Sequence, residues 1–182
     1  MKSVLISIRP KWTEKIANGE KTIEVRKSAP QEVPFKAYIY CTIGNGVKGD
    51  YLVPSGIQCG KVIGEFICDK VYSIKNRGSS FSVADEEQSV TNEIARQSCL
   101  YYDDMVSYFG NKDGFGWHIS DLKIYDRPKE LSEFYTKKKC NSCKKSGYES
   151  TACMYDEDCK VPMSITRAPQ SWQYIEDLGE EE

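Results

Sequence analysis

The sequence predicts a mixed α+β fold, mainly β: a small barrel decorated by short helices, with a Cys-rich insertion. Three observations predict it. Short runs of β-branched and aromatic residues recur along most of the chain. The helical patterns between them are brief and do not alternate regularly with the strands, which argues against a doubly wound parallel sheet. Beyond Pro128 the texture changes to a stretch rich in cysteine and lysine and almost free of large aliphatic residues, which cannot build a core alone.

SVLISI reads as the opening strand. RPKWTEKIANG follows as a short helix: Pro10 suits its first turn, Trp12 and Ile16 stand four apart on one face, and Gly19 suits the stop. KTIEVRK is the second strand, with Ile23 and Val25 on one face and Thr22, Glu24 and Arg26 on the other. KAYIYCTI is the third strand, and GNGVKGDYLVPSG is a loop of turn formers. KVIGEFICDKVYSI reads as one long fourth strand, bulged at Gly64. NRGSSFSVADEEQ reads as an exposed loop. VTNEIARQSC and YDDMVSYFGN read as short helices, the second ending near Gly110, and GFGWHISDLKIYD returns to strand. After the Cys-rich stretch, ITRAPQSWQYIED regains strand character with Trp172 and Tyr174 on one face.

With 182 residues the chain suits one domain, 1–182, with 137–160 as an insertion and 176–182 as an acidic solvated tail. A formal net charge of -2 excludes a globally basic nucleic-acid binder but leaves room for a local basic cleft. No run approaches the ~20 apolar residues of a membrane span. Arg9 and Pro10 end the first apolar run too early for a signal peptide. These features point to a cytoplasmic protein without membrane contact, in which eight cysteines serve as thiols or metal ligands rather than disulfides.

The stretch GEKTIEVRK carries the chemistry. Glu24 and Arg26 lie about 7 Å apart on one strand face, with Lys21 at the strand entrance. Periodicity alone allows two readings: a solvated charged face worth little energetically, or a site offering a carboxylate, a guanidinium and an amine around one small volume. A desolvated Lys21 would have a lowered pKa and serve as nucleophile or base.

Gly19, Lys21, Glu24 and Arg26 match the pattern G-x-K-x-x-E-x-R, and with the flanking elements the chain resembles the ASCH domain. GFGWHISDLKIYDRPKELSEFY and RAPQSWQYIED look like a bacterial and phage-borne branch of these proteins. The resemblance covers residues 1 to 128 plus the C-terminal return. It implies a PUA-like barrel with a cleft beside the first helix, and binding of RNA or of a modified nucleoside or nucleotide. Some small members resemble amidohydrolases acting on acetylated cytidine, and another is described as a ribonuclease. The amidohydrolase pattern of Lys, Thr and Glu maps its Lys onto Lys21, but its Thr falls on Glu24. Its Glu has no aligned counterpart; Asp103 and Asp104 are the nearest acidic candidates.

Other residues near such a cleft join the ligand-binding set. Ser7 and Arg9 close the first strand, and Arg9 either meets a phosphate at the helix N-terminus or is a surface residue. Glu65, between Ile63 and Ile67, lies either on an apolar face as a general acid or base, or on a rim turned to water. Trp117 after GFG either stacks a base or packs in the core. The lone His118 is read as an ordinary strand residue.

Cys140, Cys143, Cys153 and Cys159 supply four thiolates, the first pair with CxxC spacing and with lysines nearby. Structural zinc is the expectation; disulfides and free thiols are the alternatives. Three functions follow: a module that binds RNA or a nucleoside through Lys21, Glu24 and Arg26; a hydrolase of an acylated nucleoside or RNA phosphodiester with Lys21 and Glu24 as catalytic groups; and a protein-interaction module using the Cys-rich insertion.

Overall fold

A computed structural model describes residues 1–43, 58–78, 80–139 and 160–176. β1 (Lys2–Ile8) leads into α1 (Pro10–Ala17), β2 (Ile23–Arg26) and β3 (Phe35–Cys41). β4 (Val62–Cys68), β5 (Val71–Asn76) and β6 (Phe81–Val83) precede α2 (Gln88–Ser98) and α3 (Tyr102–Phe109). β7 (Gly114–His118), β8 (Ser120–Lys129), a 3-10 turn (Leu131–Glu133), β9 (Tyr135–Lys139), β10 (Lys160–Ser164) and β11 (Trp172–Ile175) complete it.

The strands form a five-stranded sheet ordered β11-β1-β3-β4-β8, a four-stranded sheet ordered β2-β7-β5-β6, and a β9-β10 hairpin. β1 and β3 run parallel; the remaining pairs are antiparallel. The fold is mainly β, as expected, and barrel-like, but the two sheets do not close into a true barrel.

Two predicted strands are each two strands. The exposed pair Asp69 and Lys70 ends β4 in the larger sheet and starts β5 in the smaller one, and Ile119 separates β7 from β8 in the same way. The breaks are pinned to each other. The His118 amide donates to the Lys70 carbonyl at 2.9 Å, and His118 Nδ1 lies 2.6 Å from Asp69 Oδ1. That hydrogen bond holds the Asp69 carboxyl below its ordinary range. The expected loop after Asn76 contains β6, paired to β5. Residues 165–171, expected to be strand, are not; only Trp172–Ile175 is.

Gly64 marks the expected bulge. The register shifts beside it on both neighbours, and a Cβ there would meet the Lys123 carbonyl oxygen at 2.5 Å. At the end of α1, Gly19 takes φ +73, the left-handed stop that glycine allows.

The larger sheet is buried on both faces. Val4, Ile6, Ile8, Phe35, Ala37, Ile39, Ile63 and Trp117 fill the interior, where Ile16 of α1 joins them. Leu5, Tyr38, Tyr40 and Val62 pack the opposite face against Phe134, Ile165 and Ile175. A third cluster holds α2 and α3 on the smaller sheet through Ile23, Val25, Ile74, Ile94, Met105 and Phe109. Each Val, Leu, Ile, Met or Phe side chain among them, fully buried, contributes about 1.5–3 kcal/mol. The β9-β10 hairpin pairs Lys139 with Lys160 across the ends of the Cys-rich segment.

Candidate functional site

β2 assembles the site because both of its faces are buried. Ile23 and Val25 belong to the helix-packed cluster. Glu24 and Arg26 alternate onto the other face, where Glu24 stands directly opposite Trp117 of β7. Lys21 is 2% exposed, Glu24 5% and Arg26 7%. A solvated strand face is therefore excluded.

The Lys21 ammonium donates to the Ser98 carbonyl at 2.6 Å and the Ile23 carbonyl at 2.8 Å. It lies 3.4 Å from Glu24 Oε2, an ion-pair contact, and 5.4 Å from the centre of the Trp12 ring. Burial pushes Lys21 below its ordinary pKa, and the Glu24 carboxylate opposes that shift. Arg26 Nη2 lies 2.9 Å from Glu24 Oε1 and donates to the Ser7 carbonyl at 2.7 Å. The carboxylate is thus shared by two cations, and the cations are fixed by three carbonyls, two of them, Ser7 and Ser98, from distant segments.

Three buried polar atoms on this face have no hydrogen-bond partner among the described residues: Glu24 Oε2, Arg26 Nε and Trp117 Nε1. Leaving such a group unsatisfied costs about 1–3 kcal/mol. The set is one acceptor and two donors.

The remaining expected residues are placed as follows. Ser7 joins the site through its carbonyl, while its hydroxyl donates to the Pro169 carbonyl at 2.6 Å. Arg9 is exposed at the N-cap of α1. That N-terminus is a poor phosphate site: Pro10 has no N–H, and the amides of Trp12 and Thr13 already donate to the Arg9 carbonyl at 2.9 and 3.0 Å. Trp117 is fully buried, edge-on to Phe35 at 5.0 Å and to Trp172 at 5.7 Å, so its ring is core, and its Nε1 is buried without a hydrogen-bond partner among the described residues.

Glu65 pairs in register with Tyr38, whose side chain packs on the far face of the larger sheet. There it accepts a hydrogen bond from the Tyr125 hydroxyl, on the other side of the sheet from Lys21. Asp103 is exposed, and Asp104 caps α3 by accepting from the Tyr101 amide at 3.1 Å; neither is a partner of Lys21. A cavity of about 220 Å³ between β6, α2 and α3 is lined by none of the expected site residues.

Sequence reasoning missed the Ser98 carbonyl and the Trp12 ring, which hold Lys21 from opposite directions in the chain. No periodic signal links them to β2. Cys140, Cys143, Cys153 and Cys159 lie outside the described residues, as does the loop 44–56. Among the described residues no cluster of three or more His, Cys, Asp or Glu could hold a metal ion, and no helix is long and apolar enough to cross a membrane.

Neither a family model nor a curated protein matches the chain. Solved structures do. The ASCH protein of Zymomonas mobilis is 17% identical, with a TM-score of 0.56 over 96% of this chain and 88% of that one. A tyrosine-to-phenylalanine variant of that protein is 16% identical, with a TM-score of 0.55 over 97% and 91%. A serine-to-alanine variant gives 16% and 0.55 over 96% and 89%. The likeness shows that the chain has the ASCH, PUA-like fold that its motif implies.

Proposed function

We propose that the protein is an ASCH-type binding module that recognises RNA or a modified nucleoside or nucleotide at Lys21, Glu24 and Arg26. One observation carries the reading: an acceptor on Glu24, held only by its ion-pair contact with Lys21, and donors on Arg26 and Trp117 are buried together with no hydrogen-bond partner among the described residues. A nucleobase edge presents donors and acceptors side by side and matches such a set. All four side chains are covered, so entry requires the cover to shift, and association is expected to be slower than a preformed cleft permits.

The test is a calorimetric screen of nucleosides, nucleotides and short oligonucleotides with the wild type and Arg26→Lys. The substitution keeps the charge and removes Nε and the planar fork. Saturable binding by the wild type that Arg26→Lys weakens at least tenfold, with an unchanged circular dichroism spectrum, supports the module. Binding equal in both proteins, or none across the panel, overturns it.

A second reading, a hydrolase of acylated nucleosides or RNA, is favoured by the lowered pKa of Lys21 beside a carboxylate. It expects turnover lost in Lys21→Met. Turnover that survives this change removes Lys21 from the chemistry.

A further inference from the structure

We propose that Cys41 and Cys59 form a thiol–disulfide exchange site, bridging reversibly when the protein meets a low-molecular-weight disulfide of the glutathione class. Cys41 is the last residue of β3 and is fully buried; Cys59 is half-buried and packs against the same core. Their sulfurs lie 3.5 Å apart, although the residues are eighteen positions apart in the chain. A disulfide requires an approach of about 1.5 Å more, within the reach of side-chain rotation.

The backbone already holds the pair. The Cys41 amide donates to the Lys61 carbonyl at 2.9 Å, and the Gly60 amide donates to the Cys41 carbonyl at 2.7 Å. The bridge would therefore join the end of β3 to the turn that leads into β4. The other described cysteines differ: the Cys68 sulfur contacts the Lys70 carbonyl at 3.3 Å, and the Cys99 sulfur contacts the Glu20 carbonyl at 3.3 Å.

The accessible Cys59 reacts first. Its thiolate attacks one sulfur of the small disulfide, forming a mixed disulfide and releasing one small thiol. The Cys41 thiol then loses its proton to the solvent and attacks Cys59 Sγ, releasing the second small thiol. The dithiol loses two electrons and the small disulfide gains them. Burial, and then the neighbouring Cys59 thiol, push the Cys41 thiol up to about 12, so the second step is the slow one. This site is independent of the nucleoside reading.

Incubation of the wild type with oxidised glutathione, alkylation and non-reducing peptide mapping test the proposal. The expected product is a peptide linked through Cys41 and Cys59, lighter by two hydrogens and opened by dithiothreitol. Cys41→Ser is expected to stop at a glutathione adduct on Cys59. If that variant does not fold, the wild-type map decides alone. Recovery of both cysteines alkylated, or of Cys59 linked to any other cysteine, overturns the proposal.

Discussion

Arg26 Nη2 lies 2.9 Å from Glu24 Oε1 with both side chains almost wholly out of solvent. The same nitrogen reaches the Ser7 carbonyl, so this pair bolts β2 of the smaller sheet to β1 of the larger. Lys21 adds a second bolt, from β2 to the end of α2 at Ser98. The proposed ligand recognition and the docking of these elements therefore draw on the same three side chains.

Glu24→Gln keeps the shape of the side chain but leaves two buried cations without their carboxylate. The expected loss is about 3–5 kcal/mol, or on the order of 10 °C in Tm. A triple variant, Lys21→Met with Glu24→Leu and Arg26→Leu, removes every charge and is expected to lose less than Glu24→Gln does. Thermal melts of both check this; a triple variant that is the less stable contradicts it.

Lys21 gives stability a defined slope with pH. Its folded pKa is lowered from 10.5, so between that lowered value and 10.5 the unfolded chain binds more protons. Stability due to Lys21 therefore rises with pH through this window and is flat on either side. Lys21→Met removes the titration. Urea unfolding at closely spaced pH values is expected to show wild type gaining on the variant towards pH 10.5. A constant difference would show that Lys21 stays charged in the fold.

Gly114→Ala probes how closely α3 sits on β7. The added Cβ would lie 2.0 Å from the ring of Phe109, which is buried. Overpacking of this kind costs about 1–3 kcal/mol. Chemical denaturation checks it, and Phe109→Leu in the same chain is expected to recover part of the loss.

Protein purified without added metal is expected to carry about one zinc per chain, held by Cys140, Cys143, Cys153 and Cys159. Metal analysis by mass spectrometry reads it directly. A metal content near zero in folded protein removes zinc from this segment.

The charged stretch was legible in part. Alternation at Ile23, Glu24, Val25 and Arg26 depends only on neighbouring residues, so strand and face assignment could be read directly. Burial of the second face depends on Trp117, Ser7 and Trp12, which the chain brings from far away, and only the motif pointed to it. The breaks at Asp69 and Ile119 were hidden for a related reason: β-prone residues continue on both sides, and only the partner strands differ. Glu65 and Trp117 fell on apolar strands where alternation gives a face but not what covers it.

β11 supplies one neighbour of β1, pairing Ile175 with Ser3 and Trp172 with Ile6. Val4, Leu5 and Ile6, all fully buried in the finished fold, are thus synthesised well ahead of residues 172–175, which shelter them on that side. Until then a strongly apolar strand presents an open hydrogen-bonding edge, the kind that recruits other chains. A nascent chain stalled before Trp172 is accordingly expected to engage chaperones, and truncation there to favour aggregation.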